Sequence, residues 1–119
     1  MVKKVFNKYR KWEDYHWRFY QKKTKYYYHA EKIRRWVKEK KVLDIGAGDG
    51  LITSLVGAIG IDNEQDAIDI AVNKGVDVRF GDAYNLDFKD DEFEATMMLD
   101  VIEHFEFPDK ALSEARRVS

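Results

Sequence analysis

A nonapeptide near the middle of the chain, Val42-Leu43-Asp44-Ile45-Gly46-Ala47-Gly48-Asp49-Gly50, restricts the possible folds more than any other stretch. A short apolar run leads into a carboxylate and then three glycines at alternate positions, the pattern of a buried strand that breaks into a tight turn before a helix. Such a turn binds something. Glycines let the backbone take unusual dihedrals and let a ligand come within contact distance, while the N–H groups that open the next helix face that ligand.

The spacing separates two ligand classes. The dinucleotide fingerprint G-x-G-x-x-G, counted from Gly46, requires glycine at position 51, where the chain has Leu51. The third glycine is Gly50, and Asp44 completes D-x-G-x-G-x-G. That motif resembles the first motif of the class I S-adenosylmethionine (SAM) dependent methyltransferases. An NAD-binding half-domain is the weaker alternative.

With 119 residues, 45% hydrophobic and 36% charged, the chain is expected to be a single soluble domain with one core, divided into a basic aromatic segment over 1–40 and a ligand-binding body over 41–119. No apolar run approaches the ~20 residues of a membrane span, and Met1-Val2-Lys3-Lys4 opens no signal peptide, so a cytoplasmic location is expected. Zero cysteines exclude disulfides, thiolate metal sites and a cysteine nucleophile. No metal site is expected. The absence of cysteine together with many Lys and Glu is a thermophile-like composition.

The two parts of the chain carry opposite charge: residues 1–41 hold 15 Lys+Arg against 4 Asp+Glu, and residues 42–119 hold 6 against 18. The basic part also contains all three Trp and six of the seven Tyr. Helical spacing there predicts two helices with a break near Gln21 to Thr24, the second placing Tyr26, Ala30, Ile33 and Val37 on one face. Two readings stay open. Basic residues interleaved with aromatics could track a nucleic-acid backbone and stack bases. Alternatively, the aromatics pack on the sheet or roof over the ligand while the cations are solvated or meet the acidic body.

After residue 41 strands and helices alternate. Strands are predicted at Lys41–Ile45, Ala58–Ile61, Val76–Phe80 and Phe93–Leu99. The first crossover helix, near Leu51–Leu55, must be short because Asp62 follows Gly50 by only twelve positions. Asn63 is read as the N-cap of a helix whose inner stripe is Ala67, Ile68, Ala71 and Val72, and Pro108 opens a last helix with Ala111, Leu112 and Ala115 inward. This alternation predicts an α/β, Rossmann-like, doubly wound parallel sheet, with ligands beyond the carboxyl ends of its strands.

Asp100-Val101-Ile102-Glu103-His104, together with the later Arg117-Val118, is similar to the branch of the methyltransferases that contains the ubiquinone and menaquinone enzymes; this resemblance runs from about Tyr28 to Val118. It implies the strand order 3-2-1-4, a chain truncated before the family's later strands, and SAM as cofactor. It places Asp44, Gly46, Ala47, Gly48 and Gly50 around the methionine end, Asp62 and Asn63 at the ribose, Asp82 and Ala83 at the adenine, and Leu99 and Asp100 along the pocket wall. The catalytic residues are unknown, with His104 and Glu103 as candidate proton acceptors. Asp62 has a physical rationale of its own, since a carboxylate at a strand end can accept from both ribose hydroxyls. The whole reading requires Asp62 to face the glycine rim, and the peptide groups around Gly48 to be clear of the chain's own side chains.

The implied activity is methyl transfer to a small molecule, with RNA as the second acceptor class. No Asn-Pro-Pro-Tyr signature of amino-group methylation is present, since Asp100-Val101-Ile102 stands in its place. A non-catalytic SAM-binding module acting through the basic helices is the alternative. The open edge of strand four would further allow self-association.

Overall fold

The computed structural model describes residues 8–99 and 101–119. Four parallel strands, β1 (Val42–Ile45), β2 (Ile59–Asp62), β3 (Val78–Phe80) and β4 (Ala95–Met97), form one sheet in the order β3-β2-β1-β4. β1, β3 and β4 are shorter than the apolar runs that predicted them, with Lys41, Val76, Phe93 and Leu99 outside the strands, while β2 keeps four residues but is shifted by one. Every residue of β1 is buried, as a central strand covered on both faces demands.

Alternation along β1 sorts the two layers. Leu43 and Ile45 pack with Ala111, Ala115 and Val118 of α6 (Pro108–Val118) on one face. Val42 packs on the other with Ala30 and Ile33 of α3 (Lys25–Trp36) and Ile52 of α4 (Leu51–Val56). α5 (Gln65–Asn73) closes the β3 side through Ile68, Ala71 and Val78. The inner stripes are narrower than predicted: Val72 is 56% exposed and Leu112 50% exposed. The side of each helix that faces the sheet is filled by alanines and one branched residue, which leaves these two outside the contact.

Two further expectations change. The predicted first helix is two, α1 (Lys8–Trp12) and α2 (Tyr15–Gln21), because the chain takes positive φ at Glu13. Asn63 does not cap α5; the N-cap is Glu64, whose N–H donates to Asp62 Oδ1 at 2.9 Å. The break near Gln21 to Thr24 lies where the spacing put it, and α4 is indeed cut to six residues. Among the described residues no helix is long and apolar enough to cross a membrane.

Arg117, part of the Arg-Val ending of the last helix, has a structural task. Its guanidinium donates to the Leu86 and Phe88 carbonyls at 2.9 Å each and pairs with Glu114 and Asp90, while Glu114 accepts the Leu86 N–H at 2.7 Å. The polar loop before β4 is thereby tied to α6.

Gly50, at the N-terminus of α4, has φ +80, and an added Cβ would stand 2.9 Å from the Ala71 Cβ, whereas Gly57 has φ +64 with open space around it. Gly57→Ala should therefore cost about 1 kcal/mol of backbone strain, and Gly50→Ala about 3 kcal/mol, because Ala71 cannot yield. Urea unfolding of the two variants measures the difference, and equal losses would refute the close packing of α4 on α5.

Candidate functional site

The turn after β1 is held from below by β2. The N–H groups of Gly46 and Ala47 both donate to the Ile61 carbonyl, at 2.9 and 3.0 Å, and Gly50 N–H closes the turn on the Ala47 carbonyl at 3.1 Å. Asp62, the last residue of β2, reaches across the top: its Oδ2 accepts from Gly48 N–H at 2.8 Å. The carboxylate therefore faces the glycine rim, as the reading of this motif requires. Burial raises its pKa, opposed by the amides of Glu64, Gly48 and Asn63, and the nearby Asp49 raises it further. Each Asp62 oxygen keeps a second lone pair for a ligand donor.

The second requirement is not met. The Tyr9 hydroxyl lies against Gly48, where a Cβ would have to sit, and the Gly48 amide is already donated to Asp62. The glycine that leaves room for a ligand here receives the chain's own phenol. Tyr9 is held well above the usual phenol range by its burial and then by the charge of Asp49.

Tyr9 belongs to an aromatic roof, one of the two readings of the basic segment, although the glycine motif itself did not say which residues form it. His16 Nδ1 lies 3.2 Å from Asp49 Oδ1, and Trp17 Nε1–H donates to the Asp49 carbonyl at 2.8 Å. His16 also contacts the rings of Tyr9, Tyr15 and Tyr26. Arg10–Asp66 at 3.3 Å and Lys74–Asp14 at 3.0 Å fasten α1 and α2 to α5. Tyr9, His16 and Trp17 of the basic segment thus cover the glycine turn, and among the described residues Arg10 and Lys41 pair with acids of the body. Asp49, the residue between the second and third glycines, is 1% exposed, and its Oδ2 has no hydrogen-bond partner. An acid inside a glycine turn was the available sequence signal for this feature.

The other predicted residues divide. Asp44 is buried behind the turn, accepting from Thr53 Oγ1 at 2.8 Å. Asp82 follows β3 at the same sheet edge, but its Oδ1 accepts from Tyr84 N–H at 2.8 Å, closing its own turn, and Ala83 is buried in the core on the α6 side. Leu99 packs in the cluster formed with α3 and α4. Asn63 is half-buried beside Asp62. Asp100 lies outside the described residues. Val101 is folded over the glycine turn, its Cγ2 standing 2.6 Å from the place of a Gly46 Cβ, and leads into a 3₁₀ turn at Ile102–His104. There His104 Nε2 and Glu103 Oε1 are 3.6 Å apart.

The donor set fits an adenosyl amino acid. Asp62 retains acceptors for a diol, Asp49 Oδ2 is a buried acceptor suited to an ammonium, and the cradle at Gly48 already accommodates a polar group. The group occupying that cradle is a side chain on a five-residue helix, not part of the sheet core.

Burial pushes the Asp44 carboxyl up from 3.8 to about 6, with the Thr53 hydrogen bond opposing. Between those two values the folded protein binds the proton more tightly than the unfolded chain, so stability falls as pH rises through that window. Above it the buried charge costs on the order of 3 kcal/mol. Asp44→Asn should flatten this segment of the stability-versus-pH curve, as measured by denaturant unfolding from about pH 4 to 7. Parallel curves for the two proteins would assign the dependence elsewhere.

Comparison with known proteins agrees with the sheet. The family model for a methyltransferase domain matches residues 43–119. An uncharacterised protein of Methanocaldococcus jannaschii is 32% identical over 115 residues, covering 96% of this chain and 55% of its own length. A protein of Mus musculus named probable tRNA methyltransferase 9B is 33% identical over 97 residues, covering 73% of this chain and 22% of that protein. Among solved structures, a SAM-dependent methyltransferase of Thermotoga maritima superposes with a TM-score of 0.69 at 30% identity, over 75% of this chain and 44% of that one. YcgJ of Bacillus subtilis gives 0.68 at 31%, over 77% and 46%. The chain thus spans about half the length of its M. jannaschii relative and less of the others. The methyltransferase match, together with a 3-2-1-4 parallel sheet that carries a glycine turn and an acid on adjacent strand ends, identifies the chain as a member of the methyltransferase-domain family, whose fold and relatives imply the use of SAM.

Proposed function

We propose that this chain forms the SAM-binding half of a methyltransferase whose acceptor is RNA. The observation that carries the cofactor is the Asp62 carboxylate at the end of β2, 2.8 Å from the Gly48 amide. Asp62 would hold the ribose hydroxyls, and Asp49 Oδ2 would take the ammonium of the amino-acid tail once Tyr9 leaves Gly48. Asp82 and the Ala83 amide would read the adenine; Asp44, Gly46, Ala47 and Gly50 would shape the methionine end, and Leu99 and Asp100 the wall.

The bound cofactor would supply a methyl group made electrophilic by its sulfonium. The chain's part is to hold the two reactants in line and exclude water, for which the roof of Tyr9, Tyr15, His16 and Trp17 is placed. His104 and Glu103, on the segment that begins at Val101, are the proton acceptors available to an oxygen or carbon nucleophile. That segment is also what supports kinship with the ubiquinone and menaquinone branch.

Two observations favour RNA over a small molecule as acceptor. The mammalian relatives are named probable tRNA methyltransferase 9B, and among the described residues Lys25, Lys32 and Arg35 of α3 are exposed and pair with no acid of the body. A module that binds SAM without turnover is distinguished by the absence of methylated product.

Calorimetry should show SAM and S-adenosylhomocysteine binding, weakened at least tenfold by Asp62→Ala, since charge-assisted hydrogen bonds of roughly 1.5–3 kcal/mol are lost. A thermal melt of the variant separates lost contacts from lost folding. No binding of either nucleoside at millimolar concentration would remove the proposal. Asp49→Asn should weaken both ligands by about tenfold while leaving 5′-methylthioadenosine, which has no ammonium, unchanged. Equal loss for all three would show that Asp49 only supports the turn.

A further inference from the structure

The buried face of α3 consists of Ala30 and Ile33, with Tyr26 and Val37 half-buried beside them. Among the described residues, no other element packs on the opposite face. Tyr28, Lys32 and Trp36 follow one another at intervals of four residues and therefore form a single stripe along the helix. Tyr28 is 66% exposed and Trp36 67% exposed. Lys25 and Arg35 flank them on the same side, also exposed. The Lys32 Nζ stands 5.4 Å from the centroid of the Trp36 ring, and among the described residues Lys25, Lys32 and Arg35 have no acidic partner. The one acid of the helix, Glu31, is turned aside and engaged by Arg34 and the Tyr20 hydroxyl.

This arrangement is not needed by the fold. Large aromatic rings exposed to this degree in a row, with cations between and beside them, make up a surface that neither core packing nor internal ion pairing uses. We infer that the outward face of α3, from Lys25 to Trp36, is a docking strip for single-stranded RNA, with Tyr28 and Trp36 stacking on bases and Lys25, Lys32 and Arg35 meeting phosphates. The inference deepens the proposed RNA acceptor and rests on that reading.

Three properties of the strip select this occupant. Unpaired cations of one sign complement a polyphosphate. Flat rings offer π-faces that any base can use, but only where the bases are not already stacked in a duplex. The strip is convex, as a helix surface must be, and lacks the apolar groove that a partner helix or peptide would need. Tyr28 and Trp36 are separated by a helix rise of roughly 12 Å, enough for about three stacked nucleotides at 3.4 Å each.

The test is fluorescence anisotropy of a labelled single-stranded oligoribonucleotide titrated with the protein across a series of salt concentrations. Affinity should fall with salt, with a log–log slope near −2 for three phosphate contacts on a single strand. Lys32→Gln or Arg35→Gln should make that slope shallower by about 0.7 each. Trp36→Ala or Tyr28→Ala should weaken binding roughly tenfold and leave the slope unchanged, the mark of stacking without charge. Both rings are exposed, so their removal leaves the fold intact, and a melting curve checks this. Arg116→Gln, on the distant α6, is the control and should change nothing.

The inference is overturned if RNA does not bind, if the aromatic variants bind as wild type, or if polyglutamate or duplex RNA competes equally, which would indicate attraction to any polyanion. SAM calorimetry on the same preparations keeps the two proposals apart: SAM binding without RNA binding removes the strip, and RNA binding without SAM binding removes the methyltransferase reading.

Discussion

The site depends on one carboxylate. Asp62 ends β2, and from there it accepts the amide of Gly48 in the neighbouring turn and the amide of Glu64 at the start of α5. Two strand ends and one helix start are thereby fixed relative to each other by a single side chain. This is possible because β1 and β2 are adjacent and parallel, in the register that pairs Ile45 with Ile61, so their carboxyl ends rise to the same level. A residue with only one acceptor could not bridge both neighbours and still offer an oxygen to a ligand.

The N-terminal helices impose an opposing demand. They close over the turn with Tyr9 on Gly48 and with His16 and Trp17 on Asp49, which shields the site from water but also fills it. They are held there by ion pairs from Arg10 to Asp66 and from Asp14 to Lys74, by aromatic contacts, and by the contacts of His16 and Trp17 with the buried Asp49. Exposed ion pairs contribute little, so the Asp49 contacts and the packed rings carry most of this attachment.

The same helices show how charge asymmetry in a sequence resolves in three dimensions. The contrast between a basic segment and an acidic body suggests mutual neutralisation, yet one of the two bridges from α1 and α2 to α5 runs the other way, from Asp14 to Lys74. Tyr9, His16 and Trp17 go inward over the turn from α1 and α2, whereas Trp12 and Phe19 of the same helices, and Tyr28 and Trp36 of α3, are exposed. The reading of the aromatics as a roof thus holds for part of the segment.

The short α4, the glycine turn and the position of Asp62 were legible in the sequence, because each follows from local pattern: apolar runs, glycine spacing and the number of residues between one strand end and the next; the strand order came from the family resemblance. Not legible were the break at Glu13, the exposure of Val72 and Leu112, the Glu64 N-cap, and the roles of Tyr9, His16, Trp17 and Asp49. Helical spacing says which residues share a face, but not how much of that face a neighbour covers. The contacts of Asp49 join residues more than thirty positions apart, and no periodicity encodes them. The sequence alone determined that a glycine-rich turn sits on a parallel sheet. Only the tertiary structure decided what lies over that turn, since that depends on where the folded body leaves room for the first helices.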